Sequence, residues 1–153
     1  AKDVIFYSAD VHGFAIVQER MRVMKQLLEK KPCTIITTLD AGMERCVPLT
    51  NYREHTLEVK IDEDIDIEMI RKELSALGYE YTAQVEAPGS FAVRGGIIDV
   101  FPLTEEVPYR IELWGDTVSA IHSFDVESQR KVEEADELVL YSATEVNRSL
   151  YNC

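Results

Sequence analysis

Positive charge is scarce in most of this chain. Sixteen Lys and Arg stand against twenty-eight Asp and Glu, for a formal net charge of −12. Residues 1–50 carry 7 basic and 6 acidic side chains, while residues 51–153 carry 9 and 22. Affinity for nucleic acid comes largely from neutralising phosphates, so the acidic portion is a poor grip for DNA and points to a protein partner. Cysteine is also sparse. Cys33, Cys46 and Cys153 are odd in number, widely spaced and without a CxxC pair, which argues against a disulfide framework and for a reduced, cytoplasmic protein. No apolar run approaches the roughly 18 residues that would span a membrane. The N-terminal AKDVIFYSAD lacks the basic region and small-residue cleavage site of a signal peptide.

The chemistry of an active site is missing as well. There is no GxxxxGK[ST] phosphate loop and no GxGxxG at a strand-to-helix junction. Gly95-Gly96 does not substitute, because the residues after it read as a strand rather than a helix N-terminus. His12, His55 and His122 lie far apart and lack a second ligand at i+3 or i+4, so the spacing does not describe a zinc site. Cys33 and Cys46 read as small core residues. Glu112 alternates with Ile111 and Leu113 on a strand and Asp116 sits in a turn, so ordinary surface roles account for both. Neither catalysis nor a bound cofactor is expected of this chain.

What remains is enough for one domain or one and a fraction, with 46% hydrophobic residues to build a core. Val4–Tyr7 and Thr34–Thr38 read as strands flanking a helix from Ile16, in which Val17, Met21, Met24 and Leu28 recur at steps of four, three and four. A helical turn over Asp40–Val47 stops at Pro48. That order is α/β, though too short for an independent unit. Leu57–Ile61 alternates as a strand. Ile67, Ile70, Leu74 and Leu77 then line one face of a helix, with Asp66 as N-cap and Gly78 in the C′ position. The acidic Asp62-Glu63-Asp64 suits the positive end of that helix and lacks the glycine and final glutamate of a calcium loop. Tyr79–Val85 reads as a strand on which Tyr79 and Tyr81 share a face, leaving at least one for a partner.

The stretch from Val85 to Asp116 is the most patterned. Phe91–Arg94 alternates, Gly95-Gly96 turns, Ile97–Phe101 runs apolar to Pro102, and Tyr109–Trp114 closes on Gly115-Asp116. Val118–Phe124 continues the sheet, Gln129–Asp136 reads as a loop or weak helix, and Leu138–Tyr141 is a last strand. Phe101 and Trp114 are expected in the core, and Asp125 is expected to cap a turn or pair with Arg130. The fold class is α+β: a small, mainly antiparallel sheet with one packed helix, preceded by the partial edge of an α/β domain.

FAVRGGIIDVFP, YRIELWGD and SFDVESQR, with KDVIFYSADVHG upstream and LVLYSATEV downstream, resemble the N-terminal region of the bacterial transcription-repair coupling factor family (Mfd) and, less closely, the repair protein UvrB. The resemblance covers nearly the whole chain. It implies that residues 1–48 are the tail of a degenerate motor-like domain, 51–125 a UvrA-binding domain, and 126–153 the start of a return to the first domain. The chain is then a segment of a longer protein. ATP, magnesium, DNA translocation and contacts with RNA polymerase and DNA belong to other parts of that protein. The implied role is recruitment of UvrA to stalled polymerase. The alternatives are an autoinhibitory clamp against the protein's own C-terminal domain, or the equivalent domain of a UvrB-type repair helicase.

UvrB-like sequences read FRVRG where this chain reads FAVRG, and both arginines contribute to the UvrA contact. Here Arg94 matches the second, and Ala92 replaces the first. A further UvrB arginine falls on Tyr81, and some coupling factors carry one at Glu80. The resemblance therefore implies a contact through Arg94, supported by Phe91, Tyr81 and Arg110.

Overall fold

The computed structural model describes residues 9–32, 34–36, 38–39 and 55–143. The expected strand Val4–Tyr7, the turn Asp40–Val47 and the C-terminal tail lie outside these residues.

Helix α1 spans Ala9–Leu28, longer at its start than the periodicity from Ile16 indicates. Its apolar stripe packs as expected. Met21 is buried against Leu103, with Val17, Met24, Leu28 and Tyr141 around it, and Lys25 pairs with Glu105 beside them. The helix closes with Lys30 in the left-handed region (φ 53°), where the Lys31 amide donates to the Gln26 carbonyl at 3.1 Å. The described residues of the expected strand Thr34–Thr38 are not in a strand. The segment's β-branched residues have the propensity, but its described residues join no ladder, and Ile36 stands exposed.

The remainder is α+β. Strand β1 is Thr56–Lys60, and helix α2 is Ile67–Ala76. Strands β2 (Glu80–Tyr81), β3 (Ser90–Arg94), β4 (Ile97–Phe101), β5 (Tyr109–Trp114), β6 (Thr117–Phe124), β7 (Lys131–Ala135) and β8 (Glu137–Tyr141) follow. Six of them form a sheet in sequence order, β2 to β7, antiparallel except for the short parallel β2–β3 pair. β1 and β8 make a separate antiparallel pair, joined from Thr56↔Tyr141 to Lys60↔Glu137.

Local chemistry explains α2. Asp66 accepts from the Glu68 and Met69 amides at 2.8 and 3.4 Å, capping the first turn, and Gly78 (φ 91°) ends the helix. Its Ile70 and Leu74 face, continued by Leu77 and Tyr79, meets one face of the sheet. That face is built from Phe91, Ile98, Val100, Ile111, Val118 and Ile121. Leu57, Val59, Leu138 and Leu140 of the β1–β8 pair complete the same core, so segments either side of residue 125 share it.

Other parts of the chain depart from the sequence pattern. Tyr79–Val85 is a strand only at Glu80–Tyr81. Beyond it the chain turns away, so that Val85 buries against Ala92 and Phe101 on the sheet's second face. Gln129–Asp136 contains β7 rather than a loop or weak helix. Its sequence does not alternate, and its pairing to β6 is set by the neighbouring strand, with a register shift between His122 and Phe124. Asp125 caps its turn as expected, accepting from the Ser128 amide and hydroxyl at 2.7 and 2.8 Å. Arg130 joins it only through a backbone bond.

Candidate functional site

Strand alternation sorts β3 to β6 into two faces. Phe91, Val93, Ile98, Val100, Ile111 and Leu113 point to α2, while Ala92, Arg94, Asp99, Arg110, Glu112 and Trp114 point away. Register aligns Ala92, Asp99, Arg110, His122 and Glu134 in one row across five strands. Ile97 and Glu112 are paired in the next row, toward the turns.

Asp99 anchors the polar row. Its side chain is 3% exposed, and both oxygens are occupied. Arg110 binds it bidentately, Nε to Oδ1 at 2.7 Å and Nη2 to Oδ2 at 2.9 Å, and Arg94 Nη2 reaches Oδ2 at 3.2 Å. Arg110 is 14% exposed, its guanidinium lies 4.5 Å over the Phe124 ring, and its Nη2 also donates to Gln129 Oε1 at 2.9 Å. The hydrogen bonds to Asp99 raise the Arg110 pKa further. Arg94 differs. It makes the single bond to Asp99 and is 53% exposed, so its remaining donors face solvent. In the same region His122 Nε2 lies 3.3 Å from Glu112 Oε1.

Tyr81 and Phe91 lie elsewhere. Phe91 is fully buried in the core on the α2 side, which corrects the expectation of a direct apolar contact from its ring. It instead supports Tyr81, whose half-exposed ring meets it edge-on at 5.5 Å and carries Arg71 of α2 at 4.6 Å. Tyr79, expected to share a strand face with Tyr81, is buried in the core. The four residues singled out from sequence thus divide into two pairs: Arg94 with Arg110 on the outer face, Tyr81 with Phe91 on the helix side.

The outer face carries one residue that the sequence reading placed in the core. Trp114 is 84% exposed at the end of β5. The signal for it was present, because Trp114 has the strand parity of Arg110 and Glu112, opposite to Ile111 and Leu113. Its hairpin is pinned on both sides. The Leu113 amide donates to the Gly96 carbonyl at 2.7 Å, and the Ile65 amide donates to Asp116 at 2.8 Å. Thr117 Oγ1 donates to Asp64 Oδ1 at 2.6 Å, which gives the acidic run a structural partner as well as its solvated one. A close approach of backbones makes this possible: a Cβ on Gly96 would lie 3.0 Å from the Leu113 oxygen.

Chemically, this face offers an exposed guanidinium held by a buried carboxylate and an exposed indole on a hairpin whose backbone is pinned. Such groups suit recognition of an acidic side chain and an apolar pocket on another protein. Among the described residues no group of His, Cys, Asp and Glu is arranged to hold a metal ion, and no helix is long and apolar enough to cross a membrane.

The family described as the UvrB interaction domain matches residues 57–146. Over 144 residues the chain is 33% identical to the transcription-repair-coupling factor of Staphylococcus aureus (strain USA300), covering 94% of this chain and 12% of that protein. It is 31% identical over 130 residues to the transcription-repair-coupling factor of Escherichia coli (strain K12), covering 85% of this chain and 11% of that one. The chain therefore spans about an eighth of the length of these relatives.

Proposed function

The chain belongs to the UvrB interaction domain family, in the form found in transcription-repair coupling factors, and from that premise we propose that it is a docking module for UvrA. In this reading the outer face of the sheet recruits the excision machinery, and any ATP-driven movement on DNA belongs to other parts of a longer protein. The domain works by association and carries out no reaction itself. The observation that carries the reading is the joint exposure of Arg94 and Trp114 on one sheet face, with Asp99 buried beneath the arginine. A sheet face of this kind holds its anchors at fixed spacing, so little ordering entropy is lost on binding.

The test is titration of purified UvrA against the 153-residue chain by calorimetry. Arg94→Glu and Trp114→Ala are each expected to weaken binding by more than about tenfold, as central interface anchors do. Trp114→Ala should leave unfolding stability within about 0.5 kcal/mol, since the ring is mostly in solvent. Unchanged binding by Arg94→Glu would remove this face from the interface.

A further inference from the structure

Gln129 is an unusual residue for its position. It is not glycine, asparagine or aspartate, yet it sits in the left-handed region at φ 59°. The turn around it explains how that conformation is held: its amide donates to the Asp125 carbonyl at 2.8 Å, and Asp125 is in turn fixed by Ser128. The side chain shows what the conformation achieves. Gln129 Nε2 donates to the Val126 carbonyl at 2.8 Å, which orients the amide so that Oε1 accepts from Arg110 Nη2 at 2.9 Å.

With that bond, one edge of the Arg110 guanidinium is fully used. Nε and one Nη2 proton go to Asp99, and the second Nη2 proton goes to Gln129. The Phe124 ring covers one face of the guanidinium. The guanidinium is held in one orientation, and the same Asp99 oxygen that takes Arg110 Nη2 also takes Arg94 Nη2. A rotation of Arg110 would therefore change where Arg94 is tethered.

We infer that Gln129 is a positioning residue of the docking face, acting from the turn before β7 through Arg110 and Asp99 to set the orientation of Arg94. This rests on the UvrA-docking reading above. The turn is spent on orientation rather than on stability, because glycine would satisfy its backbone with less strain.

Three substitutions separate these roles, each measured in the 153-residue chain by UvrA titration and by thermal unfolding. Gln129→Gly removes the amide and relieves the backbone, so it should weaken UvrA binding about fivefold while the melting temperature stays level or rises. A residue needed only for folding would move both in the unfavourable direction. Gln129→Met fills similar space without an acceptor and should weaken binding to a similar extent. Gln129→Glu keeps an acceptor for Arg110 but loses the Nε2 donation to Val126, so it should recover only part of the affinity lost in Gln129→Met. Unchanged affinity in Gln129→Met, or a fall in melting temperature that accompanies the loss of binding in Gln129→Gly, would overturn the inference. If Arg94→Glu abolishes binding while Gln129→Met does not, the docking face stands and only the positioning role falls. If Arg94→Glu binds normally, the docking reading itself has failed.

Discussion

Asp99 organises the outer face because a buried carboxylate cannot remain without partners. Two arginines converge on it, yet they are not equivalent: Arg110 supplies the bidentate bond and is nearly covered, and Arg94 supplies a third bond from the rim. Removing Asp99 would leave the largely covered Arg110 charge without its carboxylate partner. Asp99→Ala is accordingly expected to cost about 3–5 kcal/mol, read from chemical denaturation, whereas loss of the Arg94 bond alone is a surface effect of less than about 1 kcal/mol. The chemistry behind Arg94 was only partly legible in the sequence. Asp99 lies within an apolar run and reads there as a core strand position. Its register against Arg110, set by the β4–β5 pairing, is what turns it into an anchor.

Elements defined by local signals follow the sequence closely. Helix α2 has its cap, its 3–4 periodicity and its terminal glycine within thirteen residues of one another, and each does what its chemistry implies. The β3–β4 and β5–β6 hairpins follow from Gly95-Gly96 and Gly115-Asp116 in the same way. Elements that depend on distant partners are different. The residues of β7 carry no alternation, so only β6 beside them makes a strand. Trp114 and Phe101 are both aromatic on apolar strands and share the outer face, and Phe101 is the buried one because Val85 and Val126, brought in from loops, pack against it. The two double turns also differ from each other physically. Gly115 has a positive φ with open space around it, so Gly115→Asn should be tolerated. Gly96→Ala places a methyl against a backbone oxygen and should cost about 1–3 kcal/mol, measured by urea unfolding.

For the molecule as a whole, acidic and phenolic groups bound the pH range of stability. Hydrogen bonds from Ser128 hold the Asp125 carboxyl below its ordinary 3.8, so its contribution is present above that value and is lost as acid protonates it. Hydrogen bonding to Lys131 lowers Glu134 in the same sense. At the other limit, burial raises the Tyr79 phenol above its ordinary 10.0, so the fold favours the neutral form. The stability tied to it is present below pH 10 and lost as pH rises further. Urea unfolding midpoints followed across pH should form a plateau that falls below about pH 4 and above about pH 10. Asp125→Asn should flatten the acid limb and Tyr79→Phe the alkaline one.

The β1–β8 pair has a mechanical consequence. The strand that enters the sheet domain and the strand that leaves it are antiparallel neighbours, with Thr56 opposite Tyr141. Tension applied through these two ends would load the ladder at its open end and break its bonds one after another, as a zipper opens, rather than shear them together. Because Leu57, Val59, Leu138 and Leu140 lie on those two strands, each step of the peeling would also draw apolar side chains out of the core. A domain anchored this way yields to small forces across its ends. Pulling experiments with handles at residues 56 and 141 should find a lower rupture force than handles at 56 and 137, which sit at opposite ends of the ladder and load its bonds in shear.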